Sequence, residues 1–393
     1  MDFRFTAEEE TFRQELRQFL STVVTPDLKT ETGFEWHADG FKKGPHSKEF
    51  NRMMGRKGYF GVSWPKEYGG QGMSMVYQFL LVEELVRANA PTPGLTLTSI
   101  GPTLMKVGSD EQKNYFLPRI LSGEIEIALG YTEPGAGSDL ASLQIRAVED
   151  GDDFVINGQK MFTSGAHHCE YIWLLARTDP AVPKHKGISL LLVPVNSPGL
   201  TVRPLWTISD GQTNETFYEN VRVPRTALVG EKNRGWYYAA MALDYERVGV
   251  APYSRYLSVW QTLVDFCKST AWDGKPLSED PVVRQQLAHM GVEVEIARVF
   301  AYRTAWMIDK GIVPNYEASA QKVFATELLQ RVANAATQIF GLYGQLQPGD
   351  KHAPVDGNYE RLFRSSRNRT VGGGSSQMQR NVIANRGLGL PRG

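Results

Sequence analysis

The chain predicts a mainly α protein with a central β domain, and three observations predict it. Helical spacing of apolar residues fills the first and last thirds, alternation between paired turn residues fills the middle, and 393 residues exceed what one hydrophobic core usually serves. No internal repeat or low-complexity linker interrupts this order, so the expected division is a helical domain over 1–125, a β-barrel-like domain over 126–233 and a helical bundle over 234–393.

Thr6 with Glu9 forms a capping-box pattern ahead of Phe12, Leu16, Phe19, Leu20 and Val23, which predicts an opening amphipathic helix. Helical patterns return over Lys48 to Lys57, break at SWPKEYGGQG, and resume through Tyr77 to Arg87. Ser109 and Gln112 repeat the capping pattern before Tyr115, Phe116, Leu117 and Ile120. From about Glu126 short strands are expected, with Asn157-Gly158 as a hairpin cue, followed by YIWLLART, GISLLLVPV, GLTVRPL and ETFYENVRV. Long helices then follow over Trp236 to Cys267, Val282 to Lys310 and Tyr316 to Phe340, with a last one from near Ser376 to before Gly387.

Forty-three basic residues balance 43 acidic ones, and no long run of one sign occurs, which argues against nucleic acid or an anionic membrane as the main partner. The start, MDFRFTAEEE, is acidic where a signal peptide would be basic and then apolar, and the apolar run at Ile188 to Val193 is too short to span a bilayer. A cytoplasmic protein without membrane insertion is the expectation. Cys169 and Cys267 are the two cysteines; with no CxxC and no ligand spacing, neither a disulfide framework nor a metal site is expected.

The stretch LGYTEPGAGSD, Leu129 to Asp139, joins the helical third to the strands. Its glycines let backbone N–H groups converge on an anion, although such a cluster taken alone also describes an ordinary surface loop. Further on, KMFTSG places Phe162, Thr163 and Ser164 near a strand end, where an aromatic ring could lie on a planar heterocycle and a hydroxyl could bond its edge. A half-buried strand aromatic is the plainer reading of Phe162 in isolation.

Taken together, YTEPGAGSD, NGQKMFTSG, QIFGLYG and GGGSSQMQRNVIANRGLGLPR resemble the acyl-CoA dehydrogenase family, flavoenzymes that oxidise the α,β bond of a CoA thioester. The resemblance spans nearly the whole chain. It implies an N-terminal helical domain, a middle β domain and a C-terminal four-helix bundle, with FAD as cofactor, an acyl-CoA substrate and an electron-transfer flavoprotein as acceptor. It further implies that Leu129, Tyr131, Thr132, Gly137, Ser138, Phe162, Thr163, Ser164, Ser375 and Gln377 contact FAD, and that Gln338 serves a neighbouring subunit's cofactor. Ser138, Asp244, Arg247 and Gly373 are implied on the substrate side.

The chemistry requires a base for the α proton, and a desolvated carboxylate suits that task. Many members of the family place a Glu four residues before the Gln of the C-terminal motif, which here is Gly373, within Gly372 to Gly374. The second place known in the family, a pattern like LxxER, is met by Leu243 to Arg247, and so the expected base is Glu246. Arg247 lies roughly 100° around a helix from it. Helix charges of this kind also form plain surface ion pairs.

Two departures bear on assembly. Thr270 stands where the family's RxxFG arginine should reach a neighbour's cofactor, and Leu342 replaces the second glycine of QIFGG. Both the triglycine and the weakened neighbour contact are similar to a bacterial subgroup acting on steroid side chains as α2β2 heterotetramers. An oligomer is therefore expected, either of this chain alone or with a paralogous subunit, and with a bulky acyl group as substrate. A flavin monooxygenase on the same scaffold and a supporting subunit of a heteromeric dehydrogenase are the alternatives.

Overall fold

The computed structural model describes residues 4–32, 44–249 and 253–391, with the backbone alone for Thr32 and 244–249. In chain order the helices are α1 (Ala7–Val23), α2 (Pro26–Thr32), α3 (Pro45–Arg56), α4 (Met75–Arg87), α5 (Gly101–Val107) and α6 (Asp110–Leu121). Seven strands follow: β1 (Ile127–Gly130), β2 (Arg146–Asp150), β3 (Asp153–Lys160), β4 (Tyr171–Arg177), β5 (Ile188–Pro194), β6 (Leu200–Trp206) and β7 (Gln212–Pro224). Then come α7 (Gly235–Gly249), α8 (Tyr253–Ser269), a small hairpin of β8 (Ala271–Trp272) and β9 (Lys275–Pro276), α9 (Pro281–Asp309), α10 (Tyr316–Ile339), α11 (Asn358–Arg369) and α12 (Ser376–Val382). The protein is mainly helical with one sheet in mid-chain, as the sequence predicts.

These elements pack into two compact units that cut across chain order. One draws on the described residues of 1–42, 74–92 and 247–393, the other on those of 43–73 and 93–246. In the first unit α8, α9, α10 and α11 enclose a core that includes Tyr256, Leu263, Val294, Leu328, Val332, Tyr359 and Leu362. Helix α4 joins it: Glu84 is buried between Arg13 and Arg17 of α1 at 2.8 and 2.6 Å, and Glu83 accepts the Tyr253 and Ser254 N–H groups at 2.5 and 2.8 Å. Glu83 thereby caps the first turn of α8, whose free N–H groups need acceptors. Burial pushes its carboxyl up to about 7 against those donors.

In the second unit the sheet order is β1-β4-β2-β3-β7-β6, with β5 on β4. Strands β4 and β5 are buried along nearly their whole length, as a continuous apolar run on a two-faced strand requires. The Thr6–Glu9 and Ser109–Gln112 capping boxes both form.

Three expectations change. Asn157-Gly158 is not a hairpin but lies inside β3, the turn falling instead at Gly151; Gly158, at φ +142°, marks a bulge against β7. A Cβ there would come within 2.8 Å of Ile145, so the glycine serves close approach as well as the bend. The helix expected over Trp236 to Cys267 is two helices, α7 and α8, separated in sequence by Pro252, which has no N–H for an intrahelical bond. Helix α11 escaped the periodicity reading because its buried face includes Asn358, Ser365 and Ser366 beside Tyr359 and Leu362.

Candidate functional site

The sheet unit assembles the first group of residues from two chain segments. β1 runs parallel to β4, with Leu129 opposite Trp173, and ends at Gly130, where the chain enters the Tyr131 to Asp139 loop. Tyr131 is buried, and its hydroxyl accepts from Trp173 Nε1 at 3.1 Å. Glu133 and Ala136 exchange backbone bonds of 3.1 Å in both directions, closing a tight turn. The tip beyond is open: Gly137 and Ser138 are exposed, and nothing lies within 4 Å of where a Gly137 side chain would begin.

The second segment leaves β3 at Lys160 and meets the first directly, for Met161 N–H donates to Thr132 C=O at 2.8 Å. Phe162 follows at φ +56° with 55 % of its surface exposed. A left-handed aromatic is uncommon and costs of order 1–3 kcal/mol, so its neighbours must hold it. They do: Thr163 N–H donates to Asn214 C=O at 2.9 Å, Asn214 Nδ2 donates back to Thr163 C=O at 2.9 Å, and Ser164 N–H donates to Phe162 C=O at 2.8 Å. Ser164 and Thr213 share a hydroxyl bond of 2.8 Å. Asn214 Nδ2 also reaches His167 Nδ1 at 3.0 Å, and desolvation lowers the His167 pKa, in keeping with a neutral ring accepting there. The sheet thus brings together Leu129, Tyr131, Thr132, Phe162, Thr163 and Ser164, with Gly137 and Ser138 on the adjoining tip.

The helical unit holds a second group at the turn before α12. Gly373 and Gly374 are left-handed, at φ +67° and +86°. Lys322 Nζ of α10 donates to Gly374 C=O at 2.7 Å, and Gln379 Nε2 donates to Gly373 C=O at 3.0 Å. Ser375 accepts from Met378 N–H as the N-cap, which leaves its O–H free to donate. Ser376 Oγ and Gln379 Oε1 are buried and have no hydrogen-bond partner among the described residues. An orphaned buried polar atom costs about 1–3 kcal/mol, which a hydrogen-bonding ligand would relieve. Gln338 is not brought to this corner: it lies sixteen residues beyond Lys322 on α10, roughly 24 Å along the helix. The side chains of Asp244, Glu246 and Arg247 lie outside the described residues; their backbone forms the last turns of α7.

Several contributors were given no role in the sequence reading, although Glu133 and Lys160 lie within the YTEPGAGSD and NGQKMFTSG motifs. Glu133 and Lys160 form a buried ion pair at 2.9 Å. Buried Arg177 donates to Ala141, Leu143 and Lys184 carbonyls and so holds the loop's return. Ser99 Oγ donates to Ala242 C=O at 2.5 Å, the carbonyl one helical turn before residue 246. Their residue types fit ordinary surface or strand positions; only burial singles them out.

Helices on both sides of a small curled sheet in sequence, with a glycine loop leaving the first strand, define the acyl-CoA dehydrogenase class, and the chain belongs to that family. It matches the acyl-CoA dehydrogenase N-terminal domain over residues 6–124, the middle domain over 128–221 and the C-terminal domain over 233–388. Among curated relatives, it is 40% identical to the acyl-CoA dehydrogenase FadE29 of Mycobacterium tuberculosis, covering 98% of each chain, and 37% identical to FadE26 of the same organism, covering 100% of this chain and 99% of the relative. It is similar to a solved structure described as the Tcur3481-Tcur3483 steroid ACAD, with a TM-score of 0.91, 40% identity and full coverage of both chains. The ChsE4-ChsE5 complex from Mycobacterium tuberculosis gives a TM-score of 0.90 at 36% identity, again over both full chains. The protein is therefore an oxidoreductase of a family whose members are typically flavoproteins. Among the described residues no helix is long and apolar enough to cross a membrane.

Proposed function

We propose that this chain is an FAD-dependent dehydrogenase that oxidises the α,β bond of a bulky acyl-CoA to the trans-2-enoyl thioester, with Glu246 as base. The single observation behind this reading is the pinned pair of segments 131–138 and 161–164, a preformed seat for a planar heterocycle and its phosphates. Tyr131, Thr132, Phe162 and Ser164 would line the ring, and Ser138 the phosphate and CoA side. The resemblance assigns Ser375 and Gln377 to the cofactor as well. Bound FAD supplies the acceptor for the β hydride.

The chain's own part is to bind, orient and deprotonate. Glu246 takes the α proton as the Cα–Cβ double bond forms, and the backbone N–H of Gly373 polarises the thioester carbonyl, which makes the α proton more acidic. Gly372, Gly373 and Gly374 present no side chain, so this corner leaves volume for a branched or ring-bearing acyl group. Asp244 and Arg247 are assigned to the CoA side. Gln338, at the far end of α10 from the triglycine corner, suits a contact with a neighbouring chain's cofactor. Leu342, 83% exposed, and half-exposed Tyr343 beside it suit a covered surface in an oligomer. Relatives described as a steroid ACAD and as a two-component complex support a steroid-type substrate and a paralogous partner. An electron-transfer flavoprotein and a cytoplasmic place of action complete the proposal.

Anaerobic mixing of the purified flavoprotein with acyl-CoA thioesters tests it. A steroid-side-chain CoA should bleach the flavin faster than butyryl- or octanoyl-CoA, and Glu246→Gln should slow bleaching by about 10³-fold, within the range of general-base contributions. Wild-type bleaching by the Gln variant would remove Glu246 from the mechanism.

A further inference from the structure

The Lys160 side chain is fully buried, an arrangement that is costly unless the charge is paired and hydrogen-bonded. Its ammonium donates to Tyr131 C=O at 2.8 Å and to Glu133 Oε1 at 2.9 Å. Glu133 in turn accepts Ile145 N–H on Oε1 at 3.0 Å and Gln144 N–H on Oε2 at 2.6 Å. One ion pair therefore ties the start of the Tyr131 to Asp139 loop to its return at 144–145. Because Lys160 is the last residue of β3, the same ammonium also fixes the strand end from which Met161 bonds Thr132 and Phe162 takes its left-handed turn.

The other anchors sit at the loop's two ends: the Tyr131–Trp173 bond and the Glu133–Ala136 pair near its start, and the Asp139–Lys184 ion pair at 2.6 Å and Arg177 at its return. Gly135, Gly137 and Ser138 are exposed, no atom stands within 4 Å of a Cβ built at either glycine, and Ala136 is the one buried residue between Pro134 and Asp139. With an open tip, the loop takes its shape from its ends, and the Lys160–Glu133 pair is the buried ionic contact there. Arg177 faces Lys160 from β4, and burial together with that like charge draws the Lys160 pKa down to about 8 against the pull of Glu133.

We infer that Lys160 and Glu133 are positioning residues for the cofactor: their pair pre-forms the two segments that receive FAD, and cofactor affinity depends on it. This rests on the flavoprotein reading above. A bound ligand meeting an ordered loop does not repeat the ordering cost, so removing the pair should weaken binding even where the fold survives.

The test uses the full chain with any subunit that copurifies, stripped of flavin and titrated with FAD by fluorescence quenching. The melting temperature of the flavin-free form is measured separately. Lys160→Met should raise the FAD Kd at least ten-fold and speed hydrogen exchange at Gln144, Ile145 and Met161 in the flavin-free protein, and Lys160→Arg should restore part of the affinity. A pair serving stability alone would lower the melting temperature and leave the Kd at the wild-type value, and that result overturns the inference. Should Lys160→Met fail to fold, Glu133→Gln is read in the same way: a ten-fold weaker Kd supports the pair, an unchanged one overturns it. A wild-type chain that binds no FAD would overturn the flavoprotein reading and this inference with it.

Discussion

Two loops of the candidate site, Tyr131 to Asp139 and Gly372 to Gly374, are built on opposite principles. The Tyr131 to Asp139 loop is shaped by side chains: a buried ion pair grips the Tyr131 carbonyl, an indole bonds the Tyr131 hydroxyl, and a guanidinium holds the Ala141 carbonyl just beyond the loop. Gly372 to Gly374 has no side chains; left-handed dihedrals set its course, and two donors from outside the turn grip its carbonyls. The first loop is specified by charges that must be matched, the second by the absence of Cβ atoms. Substitutions should therefore fail differently in the two: in the first by leaving a charge unpaired, in the second by backbone strain.

Breaking the ion pair should have the largest effect. Lys160→Met leaves Glu133 buried beside backbone donors alone and should cost about 3–5 kcal/mol, as unpaired buried charges do. Replacing both partners by apolar residues should cost much less. Urea unfolding of the single and double variants checks this; equal losses would mean that the pair is not the determinant.

On the triglycine side, Lys322→Met removes a charged donor from Gly374 C=O and should cost about 1.5–3 kcal/mol. Gly374→Ala should cost roughly 1–2 kcal/mol, since a Cβ at φ +86° is strained, and that Cβ would also meet Gln379 Nε2 at 2.7 Å. Thermal melts give both values. A Gly374→Ala loss larger than that of Lys160→Met would reverse the comparison.

The smallest effect separates the two loops by pH. Lys160 has a folded-state pKa drawn down to about 8 by burial, whereas an unfolded lysine holds its proton to about 10.4. Between those values the unfolded chain binds more protons, so this group's contribution to stability rises with pH. Wild-type stability measured at pH 7.5, 8.5 and 9.5 should therefore climb relative to Lys160→Met, whereas Gly374→Ala should track the wild type. A parallel slope for Lys160→Met and the wild type would mean that Lys160 does not titrate there.

Helix starts were legible wherever local chemistry determines them. The Thr6 and Ser109 capping boxes close within four residues, and nothing distant is needed to form them. The Asn157-Gly158 pair shows the limit of such cues: the same glycine that favours a tight turn also permits a bulge, and contact with Ile145 selected the bulge. In the candidate site, Tyr131, Phe162, Ser164 and Ser375 belong to recognisable patterns, and the structure gives their positions. Lys160 and Glu133 lie inside the same motifs, but their burial and pairing could not be read there, and Ser99 and Asn214 lie outside any motif; a lysine in a strand or an asparagine near a turn is ordinarily exposed.

The sequence by itself determined the class of the fold, the helix, sheet, helix succession of its parts, the glycine loop and the absence of a side chain at 372–374, because periodicity, capping and glycine content are local properties. Only the tertiary structure decided which charges are buried and paired, that α4 caps α8 through Glu83, and that two compact units draw on interleaved parts of the chain. Those outcomes depend on contacts between residues tens to hundreds of positions apart, where desolvation makes a pairing decisive and where no local pattern records the partner.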